Sequence, residues 1–152
     1  VSKCKNLRVI DIEQAGEKFT ELDLSSNDKL NSLGLEGLRG LKQLKMPETD
    51  NLKEIVVKET ALESLALEKY TKLDKVCVGG NQFDILKINM EQKTEKDIEN
   101  MYLLFDNNLK VEFISSKSGI VPNIKRLDNH NLWAGIVFSN YVVTDYEIPE
   151  CW

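Results

Sequence analysis

Few residues in this chain are equipped for chemistry, and their spacing keeps them apart. There is one histidine, His130, in the polar stretch Asp128-Asn129-His130-Asn131. A single imidazole rules out a histidine-rich zinc site. A Cys/His nucleophile pair needs His130 beside Cys4, Cys77 or Cys151, and no motif joins them. The three cysteines are an odd number, widely spread, with no C-x-x-C pair. They read as three separate thiols, with one distant disulfide as the alternative. Cys77 falls at an outward strand position, but no base accompanies it to make a reactive thiolate. Gly79-Gly80-Asn81 is a turn and lacks the pattern of a phosphate cradle. The carboxylates of Asp11 and Asp23 come from adjacent phrases of a repeat. If successive phrases occupy opposite faces, the two cannot share a proton. No catalytic residue, cofactor or metal is therefore expected.

The elements that would position any site come from a repeat. The phrase apolar-x-x-apolar-x-apolar occurs eight times: Leu7/Ile10/Ile12, Phe19/Leu22/Leu24, Leu30/Leu33/Leu35, Leu41/Leu44/Met46, Leu52/Ile55/Val57, Leu62/Leu65/Leu67, Leu73/Val76/Val78 and Phe83/Leu86/Ile88. All 24 positions are apolar in a chain that is 41% apolar, so chance does not supply the pattern. The last two apolar residues of each phrase are two apart, the period of a strand with one buried face. A helix would need spacings of three and four over several turns, and these fail after each phrase. Phrases recur every 10 to 12 residues. Two readings compete. A coil of about 21 or 22 residues carries one strand and an irregular return, or it carries two strands on opposite sides. The second explains why every half-coil obeys one rule. One coil alone cannot bury its apolar side, so the phrase must repeat.

Turn chemistry fits this reading. Ser25-Ser26-Asn27-Asp28, Pro47-Glu48-Thr49-Asp50-Asn51 and Gly79-Gly80-Asn81 separate the phrases with residues that tolerate tight or left-handed backbone. Asn27 and Asn81, and in equivalent places Thr49 and Thr60, are expected to satisfy backbone groups inside the bends.

The stretch Leu73-Asp-Lys-Val-Cys-Val-Gly-Gly-Asn-Gln-Phe83 resembles the short half of a nested bacterial leucine-rich repeat, Leu-x-x-Leu-x-Leu-x-x-Asn-x-Leu. Phe19-Thr-Glu-Leu-Asp-Leu-Ser-Ser-Asn-Asp-Lys-Leu30 resembles the longer half. The resemblance covers residues 7 to about 90. It implies a leucine-rich repeat solenoid, mainly parallel β, with two strand segments per coil and short turns. Similar arrays occur in surface and secreted proteins of Gram-negative bacteria, where adhesion or protein recognition is the implied role and an extracellular or cell-surface location is expected. Asn is missing from most ladder positions and the first spacing is 12, so irregular early coils are expected.

From Glu91 the phrase stops, dividing an array, 1–90, from a capping region, 91–152. Thr94-Glu-Lys-Asp97 has the form of a helix start. Ile98, Met101, Tyr102 and Phe105 follow at helical spacing and predict a helix over about 94–106, covering the open end of the core. Leu109-Lys-Val-Glu-Phe-Ile114 alternates and predicts a strand. Residues 115–131 read as loop, and 132–143 as a further strand or hairpin. Trp133, Phe138, Tyr141, Tyr146 and Trp152 concentrate aromatics in this tail. They either pack the cap or dock a partner.

Composition narrows the partner. The chain has 152 residues, 20 basic and 25 acidic, for a formal charge of −5. That size is about one domain. The acidic balance argues against a phosphate-binding surface, so no nucleic acid is expected. No apolar run approaches the roughly 18 residues of a membrane span, so no membrane insertion is expected. The first residue is Val1 and lies within the repeat-like pattern, the form of a chain whose N-terminus has been cut away. Outward positions of one sheet include a strip of low charge, Gly34-Val56-Cys77, flanked by Glu54 and Lys75. With Trp133 and Tyr141 of the tail, these residues form the expected protein-binding surface. The alternatives are a structural spacer, or the substrate-recognition part of a larger protein or effector enzyme whose catalytic domain is not in this chain.

Overall fold

A computed structural model describes residues 3–106, 109–115, 122–126 and 136–139. The chain winds as a β-solenoid of parallel strands. On one side stand β1 (Val9–Glu13), β3 (Ser32–Glu36), β5 (Glu54–Lys58), β6 (Lys75–Gly79), β8 (Tyr102–Phe105) and β10 (Asn123–Arg126). They form one six-stranded sheet in the order β1-β3-β5-β6-β8-β10. On the other side β2 (Glu21–Asp23) pairs with β4 (Gln43–Lys45), and β7 (Ile85–Asn89), β9 (Lys110–Ile114) and β11 (Ile136–Ser139) form a separate three-stranded sheet. All pairings are parallel.

The phrase acts as anticipated, with two strand segments in most coils. Its last two apolar residues point inward and stack on their counterparts one coil away: Ile10 on Leu33 on Ile55 on Val76, and Ile12 on Leu35 on Val57 on Val78. Stacked coils sit about 4.8 Å apart, so each inner side chain is enclosed by its copies above and below. The third coil departs from the rule on its second side. Leu65 and Leu67 still face inward, yet residues 64–68 form no strand, and this break separates β4 from β7.

The corners repeat as regularly as the strands. The residue after each of the first four strands of the long sheet has a positive φ: Gln14 at 51°, Gly37 at 70°, Glu59 at 49° and Gly80 at 64°. Their amides extend the ladder past the strand ends, from Gln14 to the Glu36 carbonyl (2.8 Å), Gly37 to Lys58 (3.1 Å) and Glu59 to Gly79 (2.9 Å). Gly80 donates to the Asp106 carboxylate in the next coil. Glycine suits this backbone without cost; Gln14 and Glu59 adopt it under the constraint of their neighbours.

Asparagine and threonine satisfy the bends, as their positions suggested. The Asn81 amide donates to the Val57 and Gly79 carbonyls at 2.9 and 3.1 Å, and its oxygen accepts from the Thr60 hydroxyl and backbone N–H at 2.6 and 3.2 Å. Asn27 is fully buried and donates to the Cys4 carbonyl (3.0 Å). The Thr49 hydroxyl accepts from the Asn51 N–H (3.0 Å).

The region after residue 90 differs from the expectation. The helix, α1, is only Glu95–Glu99. Its start is as anticipated: Thr94 caps it, accepting from the Asp97 N–H while the Asp97 carboxylate accepts from the Thr94 N–H. Residues 102–105, expected to continue the helix, are instead strand β8, hydrogen-bonded between β6 and β10. So short a helix is marginal alone, whereas the strand gains a ladder on both edges and buries Leu103 and Phe105 completely. The helix therefore does not lid the core. It is an insertion in one corner: Lys75 to Tyr102 spans 27 residues, where Glu54 to Lys75 spans 21. Ile98 packs it inward, and the buried Lys93 binds Asp74 of the preceding coil at 2.7 Å. The strand expected near 109–114 is β9. Within 115–131, read as loop, lies β10. Within 132–143 lies β11, which pairs in parallel with β9.

Candidate protein-binding face

The long sheet turns its outward residues into columns, one residue per coil. The central column runs Asp11, Gly34, Val56, Cys77 and Leu104. Beside it run Val9, Ser32, Glu54, Lys75 and Tyr102 on one flank, and Glu13, Glu36, Lys58 and Gly79 on the other. The expected residues Gly34, Val56 and Cys77 thus stand on consecutive rungs, with Glu54 and Lys75 adjacent on the flanking column. Trp133 and Tyr141 lie outside the described residues.

The centre of the strip is recessed. Cys77 faces outward, as its place in the phrase required, but is only 5% exposed. Burial pushes its thiol above the usual range, against the opposing pull of the Lys75 and Lys58 ammoniums. A protonated, covered thiol is inert, which removes the basis for reading Cys77 as a reactive nucleophile. The Asp11 side chain lies over Gly34, where a Cβ would meet its carboxylate. Val56 and Leu104 are half-buried on either side of Cys77. Tyr102 is 39% exposed at the rim.

Sequence reasoning missed Leu104 and Tyr102. It placed Tyr102 on a helical stripe with Ile98, Met101 and Phe105. The competing signal was Leu103-x-Phe105, the inward pair of another strand, which puts 102 and 104 outward.

Charge frames the strip rather than crossing it. Glu36 and Lys58 approach at 3.9 Å along one flank, and Ser32 donates to Glu54 at 3.4 Å along the other. The opposite side of the solenoid is more polar, with Asp23–Lys45 at 3.0 Å and Lys87–Glu112 at 3.6 Å. There the Ser25 hydroxyl and backbone N–H, with the Lys45 ammonium, hold the Asp23 carboxyl down at about 2. Asp11 and Asp23 lie in different sheets, so they do not form an acid/base pair. Among the described residues no cluster of three or more His, Cys, Asp or Glu side chains could hold a metal. No helix among them is long and apolar enough to cross a membrane. From Gly34 to Leu104 the strip presents a weakly charged surface four rungs long.

No family model, curated protein or solved structure matches the chain.

Proposed function

We propose that the chain is a non-catalytic protein-recognition module. In this reading it is a leucine-rich repeat solenoid of a bacterial surface or secreted protein, and the central strip of the long sheet is the contact surface for a protein partner. The observation that carries the reading is the run Gly34-Val56-Cys77-Leu104, weakly polar on four consecutive rungs of one continuous sheet, with Tyr102 at its rim. Parallel stacking fixes the backbone of such a surface, so little ordering entropy is lost on binding. An apolar centre within a charged rim is also the usual anatomy of a protein interface. The bacterial and extracellular assignment rests on the resemblance of the repeat phrases. The test is affinity capture from bacterial envelope and host-cell fractions, comparing the unaltered chain with Val56→Lys and Leu104→Lys. A matched control is Ala66→Lys, an exposed position on the opposite side. Loss of a captured protein with the first two variants and retention with the third supports the face. Equal capture by all three contradicts it.

A further inference from the structure

We propose that the partner at the strip is a second copy of this chain, packed face to face about a two-fold axis that runs along the strands midway between β5 and β6. This rests on the reading of the strip as a contact surface and names its occupant.

The rungs on either side of that axis are self-complementary. A two-fold along the strands keeps each residue's place in its strand and exchanges the rungs, so every contact is made twice. β5 of one copy then faces β6 of the other, and β3 faces β8. The facing residues are those already in register within one chain: Glu54 meets Lys75, Val56 meets Cys77 and Lys58 meets Gly79. One rung further out, Ser32 meets Tyr102 and Gly34 meets Leu104, small against large. The exposed Asp11 side chain, which lies over Gly34, must turn aside there. Glu36 meets Asp106, the like-charged exception, and each already has a partner in its own chain, Lys58 and the Gly80 N–H. Sheets that pack face to face with their strands aligned in this way are a common arrangement.

Within one chain, Glu54 and Lys75 break a pattern that their neighbours keep. Among the described residues, oppositely charged side chains stand in register on adjacent strands at four places: Asp23 with Lys45, Glu36 with Lys58, Lys87 with Glu112, and Glu54 with Lys75. The first three form ion pairs. Glu54 and Lys75 do not pair with each other. The Glu54 carboxylate instead accepts from Ser32 on the far side, at 3.4 Å. Lys75 is therefore left without its counter-charge, and the two-fold supplies one from the facing copy. Opposed charges across an interface fix its register more than they add to its strength.

The four rungs involved are β3, β5, β6 and β8, each paired with a strand on both sides. Their centre is apolar, with Val56 and Leu104 half-buried and Cys77 covered, and the exposed Tyr102 stands at the rim. Six strands of five residues make a face of about 29 Å by 16 Å. That is smaller than the roughly 800 Å² that each partner gives to a standard interface, so a weak, reversible dimer is expected.

The experiment is sedimentation equilibrium of the chain from about 5 µM to about 1 mM, a range that covers weak association. A monomer–dimer equilibrium is expected. Glu54→Lys and Lys75→Glu each set like charges face to face at both contacts and should weaken the dimer at least about tenfold. Mixed in equal amounts, the two variants should associate with each other about as well as the unaltered chain does, because each then meets the opposite charge at both contacts. Ala66→Lys, on the interrupted side, should change nothing. A two-fold along the stack of rungs would instead set Glu54 against Lys58 and predicts no recovery in the mixture. A monomer at every concentration, association indifferent to the single substitutions, or a mixture that does not associate would overturn the proposal. Monomers whose capture of a different protein is lost with Val56→Lys would overturn it while leaving the strip a contact surface; monomers whose capture is unchanged by Val56→Lys would overturn both.

Discussion

The two sides of the solenoid obey the same sequence rule and reach different structures. On one side the rule yields six strands in unbroken register. On the other it yields two strands, a gap at residues 64–68, and three more. Both sides bury their phrase residues, so burial alone does not decide which segment becomes a strand. The corner does. Each of the first four strands of the long sheet ends in a left-handed residue, three of whose amides carry the ladder one bond further. The gap also falls in a chemically distinct coil: Ser64 and Ala66 alternate there, while β5 directly opposite reads Ile55-Val-Val. β-branched residues favour pleated backbone; Ala and Ser do not. A continuous surface is thus built where corner and propensity agree.

The largest test of this contrast is truncation of matched inner residues. Ile55→Ala, in the continuous sheet, should cost about 4 kcal/mol, and Leu65→Ala, at the gap, about 2 kcal/mol, as read from denaturant unfolding. Ile55 is sealed by the rungs on both sides, whereas Leu65 retains 8% exposure in a segment free to relax. Equal losses would remove the distinction.

Next is the bend that joins the third and fourth coils. Asn81→Ala orphans the Thr60 N–H and removes the side-chain donor to the Val57 and Gly79 carbonyls. A loss of about 2–3 kcal/mol is expected. Asn81→Asp should recover little, because a carboxylate cannot donate to the two carbonyls. The left-handed column comes third. Gly80→Ala should cost about 1–2 kcal/mol, since it combines positive φ with a Cβ 3.2 Å from Glu59. Glu59→Gly should change stability by less than about 0.5 kcal/mol, relief of the φ penalty being offset by unfolded-state entropy.

The smallest effect concerns charge on the interrupted side. Asp23 titrates at about 2 in the folded chain, below the ordinary 3.8. Because the folded value is the lower one, the contribution of its contacts is complete above pH 3.8 and is lost as pH falls through about 2. Ser25→Ala should move the Asp23 midpoint upward in a carboxyl NMR titration, since the serine is its first-ranking partner. An unmoved midpoint would assign the shift to the Ser25 backbone N–H and Lys45 instead.

Much of this architecture was legible in the sequence because the phrase has period two and repeats. Inward residues, outward columns and the roles of Asn27, Asn81, Thr49 and Thr60 all followed from counting. The segment after residue 90 was harder. Ile98, Met101, Tyr102 and Phe105 fit a helix as well as Leu103 and Phe105 fit a strand, and only pairing with β6 and β10 decides between them. That ambiguity hid Leu104 and Tyr102 from the candidate face. Cys77 shows the complementary limit: its direction was legible and its burial was not, because burial depends on the Val56 and Leu104 rungs beside it.

Amide hydrogen exchange tests the central claim most directly, by comparing residues 55–57 with residues 64–67 in the same coil. The account predicts protection at 55–57 close to that of global unfolding, and exchange at 64–67 faster by at least about a hundredfold. Equal protection on both sides of that coil would contradict a solenoid with one continuous and one interrupted face.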